Sequence, residues 1–207
     1  SHLDHSSDAE VLVEATNREG KGRFIGSKSA VDGFEDLAPA VSEHHRRKVG
    51  EVVSLSPGDT HAFGDIEFEA TPTVHTDPTG IGAKVHTDHG TVGYTSDTEL
   101  FDGLVDSFRG TRILIANVTR PGDHRIDNHL CTEDLVDILQ NVEPELAMIL
   151  HMGMLFLRDP PTDEADYVER ETGVRTVPGT LGTRINVDKD GITVGRKTVQ
   201  TGLGSVS

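Results

Sequence analysis

The sequence predicts a mixed α/β domain, and three observations lead there. Apolar runs with a period of two alternate with segments whose apolar residues repeat at helical spacing. Hairpin signals are interspersed among the strand-like runs. No Pro/Gly/Ser-rich linker divides the 207 residues, a length that suits one domain spanning 1–207. Apolar residues make up 34% and there is no Trp, so the core must rest mainly on Val, Leu, Ile and Ala.

The elements follow in chain order. "DAEVLVEATNREG" (8–20) reads as a helix with Ala9, Val11, Leu12 and Ala15 on its apolar side and Gly20 as its stop. "RFIGS" (23–27) is a short strand. Residues 34–50 read as loop with room for one helical turn, and "EVVSLSPGD" (51–59) as a strand and turn. Residues 62–75 form a hairpin whose longer strand is "IEFEATPTV", and 81–97 form a second hairpin around Asp88-His89-Gly90. "RILIAN" (112–117) and "ELAMILH" (145–151) are buried strands. Between them "TEDLVDILQNV" (132–142) is an amphipathic helix, with Thr132 as N-cap and Glu133 and Asp134 favourable in the first turn. Residues 162–173 form a helix with a glycine stop; 174–178 and 183–196 supply the last strands, and the tail from 198 to 207 is loose. "VHTD" occurs twice, at 74–77 and 85–88, too short to be a structural repeat.

The formal net charge is −16, from 35 acidic against 19 basic side chains. Such a surplus signals disorder where charges come in runs and apolar content is low. Here the charges are spread between apolar segments, so the chain reads as folded. An acidic surface with 6 Lys is typical of proteins that work in molar salt, where the Debye length falls to about 3 Å and self-repulsion is screened. A halophilic cytosol is the expectation, with an ordinary acidic protein as the alternative. The single Cys131 cannot form an internal disulfide, which fits a reducing, cytoplasmic compartment. No apolar run is long enough to span a membrane and no signal-peptide pattern is present, so no membrane partner is expected.

The residues with chemical potential are His2, Asp4, His5, His75, Asp97 and His151. The last three each stand where a β run ends, and the first three precede a helix. Imidazole and carboxylate groups brought to one edge of a scaffold suit zinc, manganese or iron. The second "VHTD" offers His86 as a rival to His75. If 81–87 and 91–96 pair as a hairpin, Asp97 lies at the open end and His86 beside the turn, roughly 20 Å away. Metals that share a bridging ligand sit about 3.5–4 Å apart, so His86 and His89 are excluded if Asp97 is a ligand.

These residues resemble the metallo-β-lactamase superfamily. "HLDH" (2–5) is similar to the end of its His-x-His-x-Asp-His signature, "YTSDT" to its aspartate motif and "ILHMG" to its final histidine motif, with His75 in the intervening position. The resemblance covers residues 2–151. It implies a four-layer αββα sandwich, two sheets faced by helices, with one or two metals at one edge. It further implies that one metal takes His2, His75 and the bridging Asp97, and the other Asp4, His5, His151 and the same bridge. The signature's first histidine would lie two residues before His2, so the resemblance implies a fragment lacking its first strands. "NVTRPGDHRIDNHLCTEDL" (117–135) resembles the ribonuclease Z-like, archaeal branch, where a histidine before a helix lies near the scissile phosphate; this makes His129 a candidate electrophile or proton donor.

The function so implied is hydrolysis of a phosphodiester or related ester by a metal-activated hydroxide, with Asp4 orienting the nucleophile and His129 assisting the leaving group. The substrate could be a small molecule or a nucleic acid. Two other functions stand beside it: a non-catalytic, degraded relative, and a hydrolase of the same fold acting on a lactone, thioester or β-lactam. A homo-oligomer is left open. Plainer readings also apply. His2 and His5 could belong to a frayed terminus, His75 and His151 could be satisfied strand-end histidines, and Asp97 could cap a turn with Thr98. "HHRRK" (44–48) could meet a phosphate or be a solvated loop, and "DKDG" (188–191) is a hairpin turn, too poor in ligands for a calcium loop.

Overall fold

The computed structural model describes residues 2–17 and 22–196. The chain opens with two short helices, α1 (Leu3–Ser6) and α2 (Ala9–Thr16). A parallel pair follows, β1 (Arg23–Ser27) and β2 (Glu51–Leu55), with α3 (Lys28–Asp32) and α4 (Glu43–Arg46) between them. Next come the antiparallel strands β3 (Thr60–Phe63), β4 (Ile66–Pro72), β5 (Ile81–Thr87) and β6 (Gly90–Tyr94). The remainder is α5 (Leu104–Phe108), β7 (Ile113–Arg120), β8 (Leu130–Cys131), α6 (Thr132–Val142), β9 (Leu146–Leu150), α7 (Pro161–Thr172), β10 (Thr176–Pro178) and the hairpin β11 (Thr183–Asp188) and β12 (Gly191–Arg196).

One large sheet runs in the order β10-β9-β7-β6-β5-β4-β3, with β8 beside β7. Its two halves obey different rules. β6, β7, β9 and β10 are parallel, linked by crossovers through α5, α6 and α7; β3 to β6 form an antiparallel meander. β9 and the first four residues of β7 are continuously apolar and largely buried, as parallel strands in the middle of a sheet are. α6 supplies its stripe at helical spacing, with Leu135, Ile138, Leu139 and Val142 all buried. These residues meet Leu114, Ala116 and Val118 of β7 and Ala165 and Val168 of α7 in the main core. On the far side α3 packs on β1 and β2, and that pair faces the large sheet. Helix, sheet, sheet and helices are thus stacked as the sandwich expectation requires.

Several boundaries differ from the sequence reading, each for a local reason. The first helix ends at Thr16 with Asn17 as its C-cap, and the glycine stop at 20 lies outside the described residues. α1, α3 and α5 have at most five residues each, too few for periodicity to reveal them. The N-cap of α6 is Cys131, one position before Thr132; Asp134 Oδ2 accepts the Cys131 backbone N–H at 2.9 Å, closing a capping box. The strand expected over 112–117 continues to Arg120. Gly173 stops α7 as expected, in a left-handed conformation with φ 73°. Asp188 Oδ1 accepts the N–H groups of Asp190 and Gly191, so "DKDG" is a hairpin turn. The tail beyond 196 lies outside the described residues. Among the described residues no helix is long and apolar enough to cross a membrane.

Candidate metal centre

Strand direction explains why distant residues meet. β6, β7 and β9 are parallel, so their C-terminal ends share one edge of the sheet. β4 is two antiparallel steps from β6 and points the same way. Asp97 follows β6, His151 follows β9 and His75 follows β4, so all three arrive at that edge. This is where ligands collect in open α/β sheets, outside the carboxyl ends of the parallel strands. β5 runs the opposite way and carries His86 to the other end. There His86 Nε2 lies 3.0 Å from Glu69 Oε2 and its Nδ1 3.0 Å from Thr91 Oγ1, a cross-strand arrangement away from the cluster.

Asp97 is the hub, with 6% of its surface exposed. Its Oδ2 lies 2.8 Å from His5 Nε2, 3.5 Å from His151 Nε2, 3.8 Å from His129 Nε2 and 4.0 Å from His75 Nε2. Asp4 Oδ2 lies 3.2 Å from His151 Nε2 and 3.8 Å from His5 Nε2. The His5 and His151 rings stack with centroids 4.8 Å apart. Two donor groups result, each with its atoms within 4.8 Å of one another: Asp4, His5, Asp97 and His151, and His75, Asp97 and His129. His2 stands beside His75, ring centroids 4.9 Å apart, with its Nε2 3.4 Å from Thr76 Oγ1; it is in neither group.

The electrostatics follow from these contacts. Burial by itself raises the Asp97 carboxyl, but hydrogen bonds with His5 and Asn117 and the nearby His151 outweigh it and hold the group at about 2. The hydrogen bond to Asp97 raises His5 above the ordinary imidazole value. Burial lowers His75 and favours its neutral form, and burial raises the Tyr94 phenol. Asp4 is also raised by burial, yet its bond to His151 brings it below the usual carboxylate value.

Supporting residues that the sequence reading missed hold the cluster in place. Asn117 Nδ2 donates to Asp97 Oδ1 at 2.7 Å and lies 3.1 Å from the Tyr94 hydroxyl, which leaves Oδ2 of Asp97 turned to the histidines. Thr119 Oγ1 lies 3.2 Å from His151 Nδ1, and Thr98 Oγ1 accepts the Val74 N–H at 2.9 Å beside His75. The backbone adds a signal invisible in sequence. Ser96 (φ 58°), Asn128 (φ 65°) and His151 (φ 55°) occupy the left-handed region at or just before three of the converging residues. Non-glycine residues held there cost on the order of 1–3 kcal/mol each and gather at functional sites. A cavity of about 370 Å³ opens from His75 and Asp97 between the sheets, floored by Ile25, Leu55, Phe68 and Ala70.

Comparison with known proteins agrees with this geometry. A sequence family described as "Beta-lactamase superfamily domain" matches residues 1–152. An uncharacterized protein of Methanocaldococcus jannaschii, MJ1374, is 41% identical over 191 residues, covering 90% of this chain and 71% of the relative. Among solved structures, the metallo-β-lactamase fold protein YhfI of Bacillus subtilis superposes with TM-score 0.72 at 14% identity, over 94% of this chain and 74% of that one. Igni18 of Ignicoccus hospitalis, described as a novel metallo hydrolase, superposes with TM-score 0.66 at 15% identity, over 95% and 77%. With its family match, its sandwich and its strand-end cluster, the chain belongs to the β-lactamase superfamily, in the metallo-β-lactamase fold.

Proposed function

We propose that the chain is a metal-dependent hydrolase of phosphodiester or related ester bonds. One observation carries this reading: Asp4, His5, Asp97 and His151, drawn from an N-terminal turn and two strand ends, bring their donor atoms within 4.8 Å of one another. The set fits a divalent cation by its chemistry, since two carboxylates and two imidazoles suit zinc, with manganese or iron as alternatives. Those four residues would hold one ion, and His75 with His2 beside it would hold a second that shares Asp97. When bound, such ions would lower the pKa of a water toward neutral and offset the negative charge that develops on the substrate.

The chain's own groups do the rest. Asp97 stays anionic and is aimed by Asn117. Asp4, with a side chain 60% exposed at the mouth of the site, accepts a hydrogen bond from the attacking water and orients it. His129 Nδ1 lies 3.0 Å from the Asp127 carbonyl oxygen, and its Nε2 faces the cluster, 3.8 Å from Asp97 Oδ2. In its protonated form that nitrogen passes a proton to the leaving oxygen. The likeness to the ribonuclease Z-like branch favours phosphodiesters among the esters. A second role for His129 rests on its grouping with His75 and Asp97, which would make it a ligand.

The test compares bis(p-nitrophenyl) phosphate with lactone and thioester substrates on metal-loaded protein. Faster phosphodiester turnover is expected, and no turnover of any of them by loaded protein sinks the reading. His129→Ala should lower turnover by roughly 10²–10⁴-fold with metal content unchanged. Loss of metal instead assigns His129 as a ligand.

A further inference from the structure

A second set of donors lies between α2 and α4, outside the strand-end cluster. Glu10 and Glu14 stand one helical turn apart on α2 and both face His45 of α4. His45 Nδ1 lies 3.1 Å from Glu10 Oε1, and its Nε2 lies 3.1 Å from Glu14 Oε1. The His44 ring meets the His45 ring edge-on, with centroids 5.1 Å apart. One donor atom from each of Glu14, His44 and His45 lies within 4.8 Å of the others. We propose that Glu14, His44 and His45 form a separate zinc-class cation site that staples α2 to α4.

The donor chemistry is the first argument. Two imidazoles and one carboxylate, with a coordination position left for water, suit zinc. The surroundings of His45 are the second. A metal-binding imidazole almost always gives its other N–H to a carboxylate or carbonyl, which fixes its tautomer. Two oxygens are placed to accept that N–H from His45 Nδ1, Ser42 Oγ at 3.0 Å and Glu10 Oε1 at 3.1 Å, and Glu10 Oε1 is itself held by the Ser42 backbone N–H at 2.7 Å. With Nδ1 protonated toward these two oxygens, the lone pair of Nε2 points at Glu14. Glu10 is therefore a supporting group and Glu14 a ligand.

The third argument is mechanical. Val13 is the one buried residue of α2, while Val11 and Leu12 are 65% and 59% exposed, so apolar packing holds this helix weakly. Two residues, Ser7 and Asp8, separate α2 from α1, which carries Asp4 and His5. A cation shared by α2 and α4 would fix the segment that delivers those two side chains. Lys48 is the native competitor, because its ammonium group already bonds Glu14 Oε1. A divalent ion must displace it.

Zinc binding to the full chain, measured by equilibrium dialysis with elemental analysis, tests the proposal. The His44→Ala/His45→Ala double variant should hold one zinc fewer than the unsubstituted protein at micromolar free zinc. Because the staple bears on Asp4 and His5, the count is repeated with His151→Ala added to both proteins, and the same difference of one zinc should remain. Lys48→Ala should tighten the same zinc, because it removes the ammonium that competes for Glu14 Oε1. His44 is exposed and both histidines lie outside the core, so the variants should fold, checked by circular dichroism after chelation. In the unsubstituted protein, the ring signals of His44 and His45 should shift on adding zinc. Equal zinc content in the double variant, or unmoved ring signals, overturns the site.

Discussion

At the scale of single residues, the decisive comparison is between the two "VHTD" copies. His75→Ala should reduce bound metal and hydrolysis together, while His86→Ala should leave both unchanged, because β5 carries His86 to the far end of the sheet and into contact with Glu69. Metal content and turnover measured side by side decide it; an essential His86 would refute the strand-direction argument. Asn117→Leu should weaken metal binding by about 10–100-fold, the usual cost of losing a group that orients a ligand, since its amide holds Asp97 Oδ1 at 2.7 Å. The pH dependence of the chelated protein follows from two opposite shifts. Asp97 is depressed to about 2, so its contribution to stability is full above the ordinary carboxylate value of 3.8 and is lost as pH falls toward 2. His5 is raised, so its contribution is full below the ordinary imidazole value of 6.5 and is lost as pH rises through its folded value. Melting temperatures of chelated protein should therefore fall on both sides of mildly acidic pH. The titratable residues of the cluster were legible because each stands where a β run ends or a helix begins. Asn117, Thr119 and Thr98 were not, since a single amide or hydroxyl leaves no periodicity and its partner is twenty or more residues away.

At the scale of elements, the long and strongly patterned ones were legible and the short ones were not. α6 announced itself by an apolar stripe and acids in its first turn, and the 81–97 hairpin by its glycine turn; both are present. α3 and α5 have five residues each and form because tertiary contacts hold them, with Phe108 of α5 fully buried against the sheet. That packing makes a prediction about β6. Gly93 lies where an added Cβ would come within 2.8 Å of Phe108 Cδ1 and 3.1 Å of Leu114 Cδ1, both from fully buried side chains. Gly93→Ala should therefore destabilise the fold by about 1–3 kcal/mol through overpacking, although alanine suits a strand backbone better than glycine. Chemical denaturation measures it, and an unchanged midpoint would show that α5 can move aside.

At the scale of the whole molecule, many of the basic residues are already committed to acids. In the "HHRRK" stretch Arg47 pairs with Glu43 at 3.1 Å, Arg46 reaches Asp32 at 3.7 Å and the Val31 carbonyl, and Lys48 pairs with Glu14. The stretch is thus not a free cationic surface for a phosphate. With 35 acidic against 19 basic side chains, the pairing leaves a net charge of −16 spread over the surface. At low ionic strength the Debye length grows to about 30 Å, comparable to the domain, and these charges repel one another across the whole molecule. Exposed ion pairs contribute only about 0–1 kcal/mol each, so they cannot offset that repulsion. The parts with least apolar anchoring should give way first, above all α1 and α2, where Val13 is the one buried side chain. Dialysis from molar salt to low salt should therefore lower the melting temperature and weaken metal binding through loss of Asp4 and His5 before the sheet itself unfolds. Circular dichroism with parallel metal analysis follows both events. An unchanged melting temperature across that range would show that the acidic surface is not an adaptation to salt.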